Sequence, residues 1–522
     1  MLTSDRCIEL LEELERLLRL NEENVFKVRA FEKAQQSLSG MTALEERARA
    51  GNLTEIPGIG KGIAEVLTEF LLKDKCSLRD ELLAKLPPGL LDLTRIPGLG
   101  PKKAKTIIEE LGIHSVGELE YACRENRLAT LKGFGEKAQA QTLAHIEAMK
   151  AREKKALFSD TETWVVMLLS DLKDSFDIEL TGQMRRKSEI IDSIEFVAIG
   201  SKTDRSKIEK KIENFLKDRP TELPITVHMT EKTQFAKSLL ETTATPEWLK
   251  ISVKHPESEA LDPDLMESLG VFDKGFKVSQ LLTHDSIQGV FHNHTTRSDG
   301  RATAEQMIRE TIKLGYKYIG LSDHSQSAFY AQGLKVDALK EQKKEIEKLR
   351  NQFPEITIFW GVESDILQDG SLDYPDSVLK EFDFVVGSVH SRFKMDREVM
   401  TKRILAAIEN PYCSMIGHLT GRILLAREGY QIDYEKIFKA AGREGTAIEI
   451  NANPQRLDVD WRHGDLLREY KVMTCINPDA HDTSGLSDTR FGITVARKAL
   501  LPMDLVLNTR SANEAVSWLR SK

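Results

Sequence analysis

The feature that most constrains this chain is where its histidines fall. Of twelve histidines in 522 residues, seven lie between residues 285 and 522, and six of those seven sit at the ends of short apolar runs. The runs are Gly289–His292, Tyr318–Leu321, Ile356–Gly361, Phe382–Val389, Cys413–Gly417, Ala447–Asn451 and Met473–Ile476, and each reads as a strand. Segments with helical spacing separate them. The first carries its own start and stop signals: Thr303-Ala-Glu-Gln306 is a capping-box pattern, and Gly315 follows the last apolar turn. Strand and helix alternating in this way predict a parallel sheet closed into a TIM-like (β/α)7 barrel.

The polar residues fall on one rim of that barrel. His292 and His294 close the first strand, with Asp299 in the following loop. Asp323 and His324 close the second, Glu363 the third, His390 the fourth and His418 the fifth, and Asp479 and His481 follow the last. Only His463 stands apart. A lone histidine at a strand end is ordinarily a core or surface residue. Six imidazoles converging with carboxylates would repel or stay unsatisfied unless cations lay between them. Nitrogen and oxygen donors without thiolate suit Mn²⁺, Zn²⁺ or Fe²⁺, and the number of donors is too large for one ion and right for two or three. The five cysteines (Cys7, Cys76, Cys123, Cys413, Cys475) form no CxxC pair, which argues against disulfides and cysteine–zinc sites and suits a reducing cytoplasm.

The first 150 residues read as all-helical, beginning with amphipathic spacing in Cys7–Leu20. They contain an imperfect repeat. Leu53-Thr-Glu-Ile-Pro-Gly58-Ile-Gly60-Lys61 is echoed by Leu93-Thr-Arg-Ile-Pro-Gly98-Leu-Gly100-Pro-Lys102, and more weakly by Leu131-Lys-Gly133-Phe-Gly135-Glu-Lys137. These resemble helix-hairpin-helix motifs. Glycines allow a tight turn, and backbone N–H groups at a helix start approach a nucleic-acid phosphate. Gly58, Gly60, Lys61, Gly98, Gly100 and Lys102 are therefore the candidate DNA contacts. No strand precedes Gly58, so a nucleotide-binding loop is set aside. A basic helical stretch, Met149–Lys155, leads into an α+β region with strand-like runs at Trp164–Leu169 and Ile194–Ile199.

Charge excludes one kind of nucleic-acid binder. The chain has 74 Lys+Arg against 82 Asp+Glu, a net of −8, and residues 1–150 hold 22 against 24. Any grip on DNA is local geometry rather than bulk charge. The N-terminus reads as an acidic amphipathic helix rather than a signal peptide, and no run is long and apolar enough for a membrane span.

The motifs HNHTTRSDG (292–300), LSDHS (321–325), GVESDIL (361–367), VGSVHSRF (386–393), IGHLTGR (416–422), IEINANPQRLD (448–458) and INPDAHD (476–482) together resemble the PHP (polymerase and histidinol phosphatase) domain, in particular the one appended to bacterial family X DNA polymerases. The resemblance implies nine metal ligands: His292, His294, Asp299, His324, Glu363, His390, His418, Asp479 and His481. Pro478 stands where polymerase-linked relatives usually have threonine, and it touches no ligand position. It also implies a metal-dependent, typically Mn²⁺-stimulated phosphoesterase that removes nucleotides from DNA 3′ ends. Clustered metals lower the pKa of a bridging water and neutralise charge in an in-line displacement, which reaches the same class independently. Asp323 is the expected catalytic partner, and Arg422, Arg456 and Arg392 are candidates to hold phosphate.

Asn24–Phe31 resembles the N-terminal domain of family X polymerases, which makes the middle region decisive. Family X palms carry a Gly-Ser-x-Arg-Arg-x-x-Glu segment, an Asp-x-Asp pair and a later third Asp, and these carboxylates hold the metals of nucleotidyl transfer. The frame here is Gly182-Gln183-Met184-Arg185-Arg186 to Glu189, but Ser193, Glu195 and Thr226 stand at the three Asp positions. The thumb match at Thr242–Trp248 is poor, and Asp192 would face the other way on a strand. The expectation is a scaffold without polymerase chemistry.

The expected organisation is a helical DNA-binding domain at 1–85, a second helix-hairpin-helix domain at 86–155, a degenerate palm and short thumb at 156–283 and the PHP barrel at 284–522. The expected partner is DNA, as gapped, single-stranded or 3′-ended substrate. The protein is expected in the bacterial cytoplasm, nucleoid-associated when on DNA. Rival readings are an active polymerase with a PHP exonuclease, a PHP phosphomonoesterase of the histidinol phosphatase type, and a non-catalytic DNA-binding scaffold with structural metals.

Overall fold

The computed structural model describes the chain except residues 1–2, 22, 39–40, 42, 151–153, 218, 220, 256–259, 274–275 and 522. It divides into two compact units, Met1–Val116 and Gly117–Lys522. The first unit is helical throughout its described residues, opening with Thr3–Leu20, Val25–Leu38 and Leu44–Ala50. Leu10, Leu11, Leu14, Leu17 and Leu18 line one face of the first helix and pack with Phe31, Ala34, Leu38 and Leu67, as helical periodicity requires.

Both glycine turns lie in this unit and share one geometry. Gly58 and Gly98 take positive φ, +93° and +86°, which L side chains resist. Gly60 and Gly100 then start the helices Lys61–Lys73 and Pro101–Leu111. A Cβ on Gly60, Gly98 or Gly100 would meet nothing within 4 Å, so the backbone at each helix start is open. Pro101 removes one amide donor from the second copy.

The division at Val116 falls inside the segment 86–155 expected as one domain. From Gly117 onward, the helices Val116–Arg124, Arg127–Thr130 and Glu136–Lys150 belong to the larger unit. Gly117 lies so close to Ala426 that a Cβ there would collide. Arg427 pairs with Glu118 at 3.1 Å, and Arg301 donates to the Cys123 carbonyl at 2.8 Å. The third glycine copy lies here, with Gly133 at φ +90° and Gly135 just before Glu136–Lys150. Of the basic stretch Met149–Lys155, the first two residues end that helix and 151–153 lie outside the described residues.

In the middle region β1 (Ala156–Leu157) pairs antiparallel with β3 (Ile190–Ile191). β2 (Ile178–Thr181), β4 (Ile194–Ile199) and β5 (Ile225–Thr230) form a three-stranded sheet with β4 central. The strand-like run Trp164–Leu169 is a correction: it lies within the helix Phe158–Lys173. That helix buries Phe158, Thr161, Val165, Leu168 and Leu172, a helical spacing, and leaves Val166 and Met167 about half exposed, at 54% and 48%.

The remaining strands are β6 (Gly289–Val290), β7 (Tyr318–Leu321), β8 (Thr357–Asp365), β9 (Phe384–Ser388), β10 (Met415–Ile416), β11 (Ala447–Asn451) and β12 (Thr474–Asn477). They run parallel in chain order. A bridge from Asn293 to Ala480 joins the first strand's end to the last and nearly closes the barrel. β6 and β10 are shorter than their sequence runs, and soon after each ladder ends a ligand histidine, His292 or His418, takes positive φ, +54° and +24°. Along each strand, alternate residues face inward. Phe291, Tyr318, Phe359 and Phe384 fill the barrel floor, with ring centroids 5.1–5.7 Å apart. Gly320 and Gly361 make room for them, since a Cβ at either would strike Phe384. The same alternation places Glu363 and Glu449 on the inner face above that floor. The helix Ala304–Lys313 carries the expected Thr303–Gln306 capping box.

Candidate metal centre

The structure brings the nine expected metal-ligating residues together at the C-terminal rim. Eight are buried, and the His390 side chain is only 5% exposed. They form overlapping groups whose donor atoms lie within 4.8 Å of one another: His294, Asp299, His324 and His481; His292, Glu363 and His418; His292, His294 and Asp479; and His324, Glu363 and His390. Glu363 sits centrally, 3.2 Å from His292 Nε2, 2.9 Å from His324 Nδ1 and 3.2 Å from His390 Nε2.

Every one of the six imidazoles has at least one ring nitrogen with no hydrogen-bond partner, and Asp299 Oδ2 also lacks one. Buried polar atoms are ordinarily satisfied, so this many orphans in one place is the mark of a site built for cations. Electrostatics agree. Burial alone would raise the carboxyls of Asp299, Glu363 and Asp479, but the surrounding imidazoles hold all three well below the usual range. Burial favours neutral rings at His292 and His324, yet nearby carboxylates push both well above normal. His481 rises to about 9 beside Asp299 and Glu125, against the opposing effect of burial. His294 and His418 fall to about 4, through burial and then through cationic neighbours, His481 and His324 for the first and Arg456 for the second.

Two carboxylates escaped the sequence reading. Glu449 Oε1 lies 2.6 Å from His292 Nδ1, and its other oxygen accepts from the His418 backbone N–H at 2.6 Å. Asp365 Oδ1 lies 2.7 Å from His390 Nδ1. Each leaves the opposite ring nitrogen, His292 Nε2 or His390 Nε2, without a hydrogen-bond partner, the arrangement that orients metal-ligating histidines. The signal was present in the alternation: Glu449 precedes Asn451, and Asp365 follows Glu363, by two residues on an inward face. Glu125 was also missed. It lies with Asp479 and His481 in a further donor group, and no sequence pattern links it to the barrel.

Asp323 and Arg422, expected in catalysis and phosphate binding, are both engaged by partners within the protein. Asp323 accepts four hydrogen bonds, from Thr295 N, Thr295 Oγ1, Ser298 Oγ and Gln342 Nε2, at 2.6–2.8 Å. It pins the loop that presents Asp299. Arg422 donates to the Arg456 and Leu457 carbonyls and pairs with Asp460, so its guanidinium braces the Arg456 segment. Arg392 is exposed. Arg456 is buried at the site, its Nε donating to Tyr121 Oη at 2.7 Å and lying 3.8 Å from Asp479, while its Nη1 has no hydrogen-bond partner.

The palm-like positions also meet. Glu195 on β4 pairs in register with Thr226 on β5, and Ser193 Oγ donates to Glu195 Oε1 at 3.3 Å. Glu195 Oε2 lies 2.9 Å from His228 Nε2. Its carboxylate lies where a Cβ on Gly182 would stand, at a glycine with φ +62°. Among these three positions only one is a carboxylate.

A parallel barrel whose rim gathers nine residues with nitrogen and oxygen donors from six of its seven strand ends defines a PHP-type metal site. The PHP domain family matches residues 291–453. A helix-hairpin-helix domain family matches 4–76, and a SAM-like helix-hairpin-helix tandem matches 90–144. Over 98% of its length, and 98% of the other, the chain is 32% identical to the "DNA polymerase/3'-5' exonuclease PolX" of Bacillus subtilis (strain 168). The chain belongs to the family of bacterial family X DNA polymerases that carry a C-terminal PHP domain. A probable phosphatase of Thermoanaerobacter sp. (strain X514) is 33% identical over 42% of this chain and 89% of its own length. A solved histidinol phosphate phosphatase from Lactococcus lactis, 21% identical, covers 41% of this chain and 93% of that one with a TM-score of 0.31, too slight a likeness to argue from. No described helix is long and apolar enough to cross a membrane.

Divalent ions bound here would polarise a phosphoryl group and make hydroxide available near neutral pH. His292, His294, Asp299, His324, Glu363, His390, His418, Asp479 and His481 would hold them, and Glu449 and Asp365 would keep two of the rings in position.

Proposed function

We propose that this chain is a DNA-binding, metal-dependent phosphodiesterase that removes nucleotides from DNA 3′ ends. Two or three ions, Mn²⁺ foremost and Zn²⁺ or Fe²⁺ as alternatives, would occupy the barrel rim, and Arg456 would help hold phosphate. The observation that carries this is the convergence of nine buried donors, with six imidazoles each keeping an unpartnered nitrogen. A structural ion needs only about four ligands, so a set this large favours chemistry over scaffolding. The open helix starts at Gly60 and Gly100, with exposed Lys61 and Lys102 beside them, favour DNA over a small phosphomonoester.

The palm is proposed to lack nucleotidyl transfer, because one carboxylate among Ser193, Glu195 and Thr226 cannot hold two catalytic ions. The test incubates full-length protein with Mn²⁺ and 5′-labelled single-stranded or gapped DNA, with and without nucleotides, on a sequencing gel. Shortening from the 3′ end and no extension are expected. The triple variant Ser193→Asp, Glu195→Asp, Thr226→Asp should shorten DNA at the wild-type rate. Templated extension by the wild-type protein overturns the inactive palm. Intact DNA, with phosphate released from a small monoester, would favour the phosphomonoesterase.

A further inference from the structure

The helical segment after Gly117 does more than pack beside the barrel: it delivers a guanidinium to the metal rim. Asn126 adopts positive φ, +60°, and starts the short helix Arg127–Thr130. Arg127 then lies with its side chain only 15% exposed, its Nη2 2.9 Å from Glu125 Oε2 and its Nε 3.6 Å from Asp299 Oδ2. The second distance is too long for a hydrogen bond, and Nε has no other partner. The guanidinium lies over the Tyr330 ring, 4.8 Å from its centroid. Tyr330 in turn faces His324 and His390 at 6.3 and 6.2 Å between centroids, and its hydroxyl is buried without a partner.

Three buried donors therefore lie around one metal site without acceptors: Arg127 Nε, Tyr330 Oη and Arg456 Nη1. Leaving such groups unpaired is costly, so their natural complement is a ligand rich in acceptors and negative charge. A phosphate ester fits. Its oxygens can be shared between cations on one side and guanidinium donors on the other, and the planar fork of arginine suits phosphate geometry. We propose that Arg127 is a phosphate-binding residue of the barrel site, acting with Arg456 and the Tyr330 hydroxyl. The proposal deepens, and rests on, the phosphoesterase function above. Arg127 lies within the helix-hairpin-helix tandem match (90–144), outside the PHP match (291–453), so the site draws on a segment that the barrel family does not include. The competing role is electrostatic cover, with Arg127 merely offsetting Glu125 and Asp299.

Full-length Arg127→Ala, Arg127→Lys and Tyr330→Phe separate the two. The readouts are metal per chain by mass spectrometry, affinity of the Mn²⁺-loaded protein for inorganic phosphate by calorimetry, and hydrolysis of labelled single-stranded DNA. Arg127→Ala should retain its metal, bind phosphate at least ~10-fold more weakly and cut DNA more slowly. Arg127→Lys should recover only part of the affinity, because it keeps the charge and loses the fork. Tyr330→Phe, which removes one oxygen, should weaken phosphate by a few fold. Wild-type phosphate affinity in a metal-replete Arg127→Ala protein overturns the proposal, as does loss of metal from that variant. If Arg127→Ala does not fold, unchanged affinity in both Arg127→Lys and Tyr330→Phe overturns it equally. If the wild-type protein leaves DNA intact while phosphate affinity still depends on Arg127, the proposed activity fails and the phosphate site stands.

Discussion

The barrel rim and the palm-like sheet both bring polar side chains from neighbouring strands close together in the folded chain. At the rim, six strand ends direct nine donor residues inward, and orienting carboxylates behind them, Glu449 and Asp365, hold two rings in place. On the sheet, Ser193, Glu195 and Thr226 still come together, but Glu195 is held by His228 and Ser193 within the protein. The difference shows that backbone geometry and donor chemistry are separable. A strand register holds whatever side chains it carries, because main-chain pairing and a packed core maintain it. The rim imidazoles depend on more than such support, since each orphaned ring nitrogen is a cost unless a ligand offsets it.

The largest effect is expected at the rim. His292→Ala combined with Asp479→Ala should remove bound metal and lower hydrolysis by on the order of 10³-fold or more, while the barrel stays folded on its aromatic floor. Metal analysis alongside the nuclease rate checks this. A metal-free variant with undiminished hydrolysis would place the chemistry elsewhere in the chain.

A subtler change tests the supporting carboxylates. Glu449→Gln keeps the shape and loses the charge that faces His292 Nδ1. Metal affinity should fall roughly 10- to 100-fold, measured by competition with a chelator. The corresponding change in the palm, Glu195→Gln, should leave both metal content and hydrolysis where they were.

The smallest effects concern pH, and the two regions respond with opposite sign. Burial raises the Asp488 carboxyl in the barrel to about 7, with Arg490 opposing. Its folded pKa lies above the unfolded value, so the protonated form favours folding and that contribution fades as pH rises through about 7. Asp488→Asn should therefore stabilise the protein by roughly 1–3 kcal/mol at pH 8 and change little at pH 4. In the middle region, the backbone N–H and side chain of Ser201 lower Asp204 to about 2. Its contribution is present above pH 4 and disappears as pH falls through about 2, so Asp204→Asn should weaken the protein at neutral pH and match wild type at pH 2. Thermal unfolding across this range gives both signs, and the same sign for both variants would refute the assignment.

Much of the site was legible in the chain because its logic is local. A strand ends, a ligand follows, and the helix between strands announces itself by a capping box and a glycine. Period-two alternation then places Glu363 inward without any knowledge of its neighbours. The Trp164–Leu169 run misled because a short apolar run is equally compatible with one face of a helix, and only the helix Phe158–Lys173, with Val166 and Met167 outward, resolves it. The surroundings of Asp323 and Arg422 were not legible for another reason: position beside a ligand is local, whereas hydrogen-bond partners are not. Asp323 finds Gln342, and Arg422 finds Leu457 and Asp460, only when strands and loops assemble.

The repeating strand-and-helix order, the nine donors near the strand ends, the glycine turns and the single carboxylate among Ser193, Glu195 and Thr226 were all readable from the chain, because each depends on residue type and short-range spacing. Only the assembled fold showed that Glu449 turns toward His292 and that Arg127 reaches a rim built more than 150 residues further along the chain. The physical reason is that burial and close packing select contacts by shape and charge among residues that sequence distance leaves unrelated.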